Sequence, residues 1–144
     1  MPAKTKNTSK LKWLIPAVAI LAVIAVVIII LLGQGPKSDT LPANINISEA
    51  AARLKDGAFL LDVRQPEEWV EGHVEGAVLI PLGELQARLS EIPTDQDVLI
   101  ICRSGNRSSQ ARDLLRAAGL ERTTSIIGGM NAWIADGLPV INGE

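Results

Sequence analysis

Apolar positions along this 144-residue chain form one long block, then a series of short runs separated by polar turns. Four of the runs are short and continuous: Ala58-Phe59-Leu60-Leu61-Asp62-Val63, Ala77-Val78-Leu79-Ile80, Val98-Leu99-Ile100-Ile101 and Thr123-Thr124-Ser125-Ile126-Ile127. Such runs predict strands buried on both faces, and Asn44-Ile45-Asn46-Ile47 is also strand-like. Helical segments are predicted between them. Ser48 is placed to N-cap a short helix through Leu54, with Glu49 at its start. Pro66 suits the first turn of another helix through Val70. Residues 83–89 read as helical with Leu82, Leu85 and Leu89 on one face, residues 109–118 as the longest helix, and residues 130–135 as a short one. The alternation predicts an α/β domain, a small mostly parallel sheet flanked by helices on both faces. Ligands bind such sheets at the carboxyl ends of the strands. No internal repeat is visible.

The long block, residues 13–32, contains no charge. As a helix it would be about 30 Å long, enough to cross a bilayer. Pro16 falls in its first turn and Trp13 where an interfacial aromatic belongs. A cleaved signal peptide would have a shorter apolar region and a small-residue cleavage site. Here the only such site, Gly33-Gln34-Gly35, is followed by Pro36, and no cysteine ends the run to carry a lipid. The expectation is an uncleaved, single-pass signal anchor. Lys4, Lys6, Lys10 and Lys12 precede it, which places the N-terminus in the cytoplasm and the folded domain outside, in the periplasm or at the cell exterior. The chain thus divides into a basic tail (1–12), a transmembrane anchor (13–32), a Gly/Pro/Ser linker (33–43) and one domain (44–144).

Charge sharpens this division. Residues 1–37 carry five lysines and no acid, whereas the remainder carries nine cationic side chains against sixteen acidic ones, a net charge of −7. An acidic domain argues against nucleic acid as a partner and against docking on anionic lipid. One cysteine permits neither an intramolecular disulfide nor a Cys-x-x-Cys metal site, so no metal is expected. A lone thiol in an oxidising compartment is a liability unless it has a chemical task.

That cysteine stands in Cys102-Arg103-Ser104-Gly105-Asn106-Arg107-Ser108, directly after an apolar strand and directly before the longest helix. Loop N–H groups and the positive end of the helix favour an anion at the loop's centre, and the natural anion is the Cys102 thiolate. A free cysteine, with a pKa of about 8.5, is about 3% thiolate at pH 7. Lowering that pKa to about 6.5 requires roughly 2.7 kcal/mol of differential stabilisation. Oriented amides with Arg103 and Arg107 could supply it. Cys102 is therefore a candidate nucleophile, although lone cysteines are often small buried hydrophobes.

Four blocks together resemble the rhodanese (sulfurtransferase) family. They are Leu60-Leu61-Asp62-Val63-Arg64-Gln65-Pro66-Glu67-Glu68-Trp69, then Gly72-His73-Val74-Glu75-Gly76-Ala77-Val78-Leu79-Ile80-Pro81, then the cysteine loop, then Gly128-Gly129-Met130-Asn131-Ala132-Trp133 with Gly137-Leu138-Pro139-Val140. The match runs in order over residues 45–140. The resemblance implies that Cys102 attacks the outer sulfur of thiosulfate or a persulfide donor, carries it as a persulfide, and passes it to a thiol or cyanide acceptor. It implies no metal or organic cofactor. Arg103, Ser104, Gly105, Asn106, Arg107 and Ser108 would bind the substrate, with Arg103 at the pocket mouth and Arg107 bracing the loop by hydrogen bonds. Asp62 and Arg64 would form a supporting pair at a strand end. His73 would be structural. Helical spacing by itself predicts Trp69 and Trp133 as core. The loop from Cys102 to Arg107 has six residues, one fewer than in the similar cell-cycle phosphatases, which disfavours phosphate or arsenate chemistry. A persulfide relay or docking module at the membrane, without turnover, is the alternative that the same residues allow.

Overall fold

A computed structural model describes residues 40–143 of the chain. The tail and the apolar segment 13–32 lie outside the described residues, as does most of the linker. Among the described residues no helix is long and apolar enough to cross a membrane.

Five strands, β1 (Asn44–Ile45), β2 (Phe59–Asp62), β3 (Val78–Leu79), β4 (Val98–Ile101) and β5 (Thr123–Ile126), form one sheet in the order β1-β5-β4-β2-β3. Every pairing in it is parallel, as the continuous runs predict. The helices are α1 (Ile47–Lys55), α2 (Pro66–Glu71), α3 (Asn106–Ala117) and α4 (Gly129–Ala135). A 3₁₀ segment spans Leu85–Glu91.

Side chains alternate across a strand, and here the alternation builds two cores. Leu60, Leu99, Ile101 and Ile126 point to one face, where Ile47 and Ala50 of α1 and Met130 and Trp133 of α4 cover them. Leu61, Val98, Ile100 and Cys102 point to the other, against Ala111 and Leu115 of α3 and Leu85 of the 3₁₀ segment. Leu99, Ile100 and Ile101 are fully buried. Truncating any of them to alanine should cost about 2–5 kcal/mol.

Several local expectations change. Asn46, not Ser48, caps α1: its side-chain oxygen accepts the Glu49 N–H at 2.9 Å, and the Ser48 hydroxyl donates to that same oxygen at 2.8 Å. Asn is as good a cap as Ser, and starting the helix at Ile47 buries that residue in the core. The segment expected as helical over 83–89 is a 3₁₀ helix over Leu85–Glu91, with Arg88 leaving helical geometry at φ −114°. Its leucines still face one way: Leu82 and Leu89 pack beside Leu85. α3 begins three residues earlier than its apolar pattern does, because Gly105 supplies its start. Before β1 the chain is already fastened to α3, since Arg116 donates to the Leu41 carbonyl at 2.6 Å and Arg112 to that of Ala43 at 3.0 Å.

Candidate active site

β4 ends at Ile101, and the next residue, Cys102, keeps the strand's alternation and faces α3. The chain then turns sharply back to open that helix. Gly105 makes the turn at φ +104°, a left-handed conformation that disfavours any side chain. The reward is direct: the Gly105 N–H lies 3.1 Å from Cys102 Sγ and donates to it. From the far side, α4 fixes the loop's backbone. Met130 N–H donates to the Cys102 carbonyl at 2.8 Å and Asn131 N–H to that of Arg103 at 3.0 Å.

Cys102 is only 1% exposed. Burial pushes its thiol pKa up. The Ser108 hydroxyl and the backbone N–H groups of Ser108, Gly105 and Ser104 outweigh that effect, and the thiol lies below its ordinary value. A small buried residue is thus also an activated one.

The other loop residues divide. Ser104 and Asn106 are exposed, and Ser104 acts on the sulfur through its backbone. Ser108 is buried, its Oγ 3.6 Å from Cys102 Sγ. Arg103 is exposed and lines a cleft of about 250 Å³ with Arg64, Glu68, Met130, Asn131 and Ile134. Its guanidinium has no partner among the described residues. A larger hollow, about 420 Å³, sits beside Val98 and Thr123 at the opposite, amino ends of β4 and β5. It is remote from the thiol.

Arg107 anchors the loop's far end from outside the loop. Its guanidinium meets Glu68 of α2 in a two-point fork of 2.6 and 2.8 Å. Arg107 holds the Glu68 carboxyl far below the usual carboxylate range, at about 2, assisted by the Gln65 N–H. Glu68 was not among the residues singled out from the sequence, where it reads as a first-turn acid of a short helix.

Asp62 and Arg64 do pair, both almost fully buried, with Arg64 Nη2 2.7 Å from Asp62 Oδ2. Arg64 also donates to the carbonyls of Glu68 at 3.0 Å and Gly72 at 2.9 Å, so the pair holds α2 at the end of β2. Trp133 is core, and its indole N–H donates to the Pro139 carbonyl at 3.1 Å. Trp69 is not core. It is half-buried and stacks on His73 with ring centroids 3.6 Å apart, because α2 is too short to bury a full face. His73 Nδ1 lies 3.1 Å from the Trp69 carbonyl, and its backbone pairs with Ile141. These contacts are structural.

The sequence profile of the rhodanese-like domain matches residues 46–136. A sulfurtransferase of Allochromatium vinosum is 39% identical over 99 residues, covering 69% of this chain and 92% of the relative. A chloroplastic thiosulfate sulfurtransferase of Arabidopsis thaliana is 32% identical over 110 residues, covering 68% and 92%. Among solved structures, a rhodanese-related protein from Thermoplasma volcanium superposes with a TM-score of 0.66 at 31% identity, over 71% of this chain and all of that one.

Proposed function

From the premise that this chain belongs to the rhodanese-like family, we propose that it is a sulfurtransferase whose transferred sulfur rides on Cys102. The observation that carries this reading is the convergence of loop amides on one sulfur, with the Gly105 N–H at 3.1 Å. In the forward half-reaction the Cys102 thiolate attacks the outer sulfur of thiosulfate or an organic persulfide. A new S–S bond forms, the donor's own S–S bond breaks, and sulfite or a thiolate leaves with the electron pair. The outer sulfur of the resulting persulfide takes up the negative charge, and the loop N–H groups stabilise it by donating to it. A thiol or cyanide then attacks that sulfur and regenerates the thiolate. This is two-step covalent catalysis. A six-residue loop whose N–H donor already lies against the thiol leaves little space for a tetrahedral phosphate, which favours sulfur over phosphoryl transfer.

The lysine distribution and the apolar segment 13–32 support a second element of the proposal, a single-pass anchor that carries the domain outside the cytoplasm. Protease added to spheroplasts expressing the chain should degrade the domain. Full protection until the membrane is lysed would refute that orientation.

The functional test uses the full chain in detergent with thiosulfate and cyanide, following thiocyanate, with Cys102→Ser alongside. Turnover that depends on Cys102, with a transient gain of one sulfur atom in protein mass, supports the enzyme. A stable added sulfur without turnover supports the relay instead. Neither signal, in folded and reduced protein, refutes both.

A further inference from the structure

β5 is an inner strand of the sheet and is fully buried, yet it reads Thr123-Thr124-Ser125-Ile126 where its neighbour β4 is wholly aliphatic. Ser125 is 1% exposed, and a buried hydroxyl needs a partner. Its partner is the cysteine loop. Ser125 Oγ lies 2.7 Å from Ser108 Oγ, and Ser108 Oγ lies 3.6 Å from Cys102 Sγ. Three polar atoms therefore stand in a row from the sheet to the sulfur.

A count of protons gives this row a direction. Ser108 owns a single hydroxyl proton and donates it to the Gly105 carbonyl at 2.9 Å. While Cys102 is a thiol, its S–H donates to Ser108 Oγ. When Cys102 ionises, that proton is gone and the sulfur becomes an acceptor, so the Ser108 O–H must turn toward it. The Gly105 carbonyl tolerates the loss because it also accepts the Ser109 hydroxyl at 2.9 Å and the Ser109 N–H at 3.1 Å. The turned Ser108 oxygen still needs a donor, and Ser125 is the hydroxyl within 2.7 Å. A donor onto Ser108 polarises its O–H and strengthens the bond it gives to the thiolate.

We infer that Ser125 is a positioning residue, whose hydroxyl donates to Ser108 and so steers the Ser108 proton onto the ionised sulfur of Cys102. The inference rests on the reading of Cys102 as the reacting thiol. Ser125 Oγ also lies 3.4 Å from Ser109 Oγ, but of the two loop hydroxyls only that of Ser108 bonds to the sulfur, so Ser125 acts through Ser108. The charged groups around the thiol are separate from this row: Arg103 in the loop, Arg107 of α3 held by Glu68 of α2, and Asp62 of β2 held by Arg64. β5 and α4 carry no titratable side chain facing it.

The test titrates the rate of Cys102 alkylation by iodoacetamide against pH in the full chain. Ser125→Ala should raise the midpoint by roughly half to one pH unit, because the charged form loses support. Ser125→Thr, which keeps the hydroxyl, should retain the wild-type midpoint. In a Ser108→Ala background the additional Ser125→Ala change should have no effect. An unchanged or lowered midpoint in folded Ser125→Ala overturns the inference, the lowered one by showing that Ser125 takes the Ser108 proton away from the sulfur. Persistence of the shift without Ser108 also overturns it. Should Ser125→Ala not fold, Ser125→Gly, which removes the same hydroxyl and adds no bulk, provides the second arm. The midpoint should again rise, and a constant value refutes the relay. Alkylation needs no sulfur donor. A shifted midpoint without thiocyanate formation would therefore sink only the enzyme reading, and turnover without a shift only the role of Ser125.

Discussion

Arg107 and Glu68, 39 residues apart in sequence, face each other as a fork across the gap between α3 and α2, with Nη1 donating to Oε2 and Nη2 to Oε1. The pair neutralises the arginine nearest the helix start and ties the cysteine loop's far end to the element that Arg64 holds from below. Asp62, Arg64, Glu68 and Arg107 thereby form a continuous polar strut from the end of β2 to the start of α3. The strut shapes one wall of the cleft, where Arg103, with no ionic partner among the described residues, is open to a ligand.

Acid should weaken this strut in a definite window. Glu68 titrates at about 2 in the folded chain against an ordinary 4.5, so the folded pKa is depressed. Its contribution is therefore fully present above about pH 4.5 and is lost as pH falls toward and through 2. Because the pair is partly solvated, we expect Glu68→Gln to cost about 1 kcal/mol at pH 7. In urea unfolding, the gap between wild type and variant should narrow as pH is lowered from 7 to 3. A constant gap would mean that the carboxylate charge contributes nothing.

The buried pair beneath it should respond more severely. Asp62→Asn leaves the Arg64 guanidinium, 5% exposed, without its counter-charge. Removing one partner of a buried ion pair costs about 3–5 kcal/mol. Replacing both, as in Asp62→Leu with Arg64→Met, should cost less than Asp62→Asn alone. Chemical denaturation of the two variants tests this order, and a double replacement that is the more damaging would show that the Arg64 bonds to Glu68 and Gly72 matter more than its charge partner.

Local order made much of this site legible in advance. The run ending at Ile101, the glycine three residues past Cys102, and the helix pattern behind it all lie within about twenty residues, and strand alternation alone assigns Cys102 to the face of Ile100. Asp62 and Arg64, two residues apart, were equally readable. Glu68 and Ser125 were not. Their partners lie 39 and 17 residues away, and nothing local distinguishes Glu68 from a solvated helix acid or Ser125 from a strand residue of middling propensity. Trp69 departs from expectation for a related reason: helical spacing predicts core, but the ring stacks on His73 four residues on.

The signature glycine pair allows a sharper comparison. At Gly129 (φ +56°) a Cβ would stand 2.2 Å from the Cys102 carbonyl oxygen and 2.8 Å from the Arg103 carbonyl carbon, both backbone atoms. Gly57 also has a positive φ, +90°, but a Cβ there meets nothing within 4 Å. Gly57→Ala should therefore cost only the conformational term, about 1–2 kcal/mol. Gly129→Ala should exceed that clearly and should also displace the Cys102 carbonyl from the Met130 N–H, with loss of activity. Equal destabilisation of the two variants would show that the loop moves aside at no cost.

Arg103 and Arg107 lie on either side of the same turn, and their surroundings predict opposite phenotypes. Arg107 is committed to Glu68, so Arg107→Ala should act mainly on stability. Arg103 is exposed at the cleft and lacks an ionic partner among the described residues, so its charge is available to a dianion such as thiosulfate. Arg103→Ala should raise the thiosulfate KM by about tenfold, an effect that added salt reduces because the attraction is screened. Alkylation by neutral iodoacetamide should change by less than about twofold, since Arg103 donates no bond to the sulfur. The two readouts separate steering of the donor from activation of the thiol. If KM stays constant while alkylation slows, Arg103 supports the thiolate and does not attract the donor. If both stay constant, the anion is drawn by the loop N–H groups and the start of α3 alone.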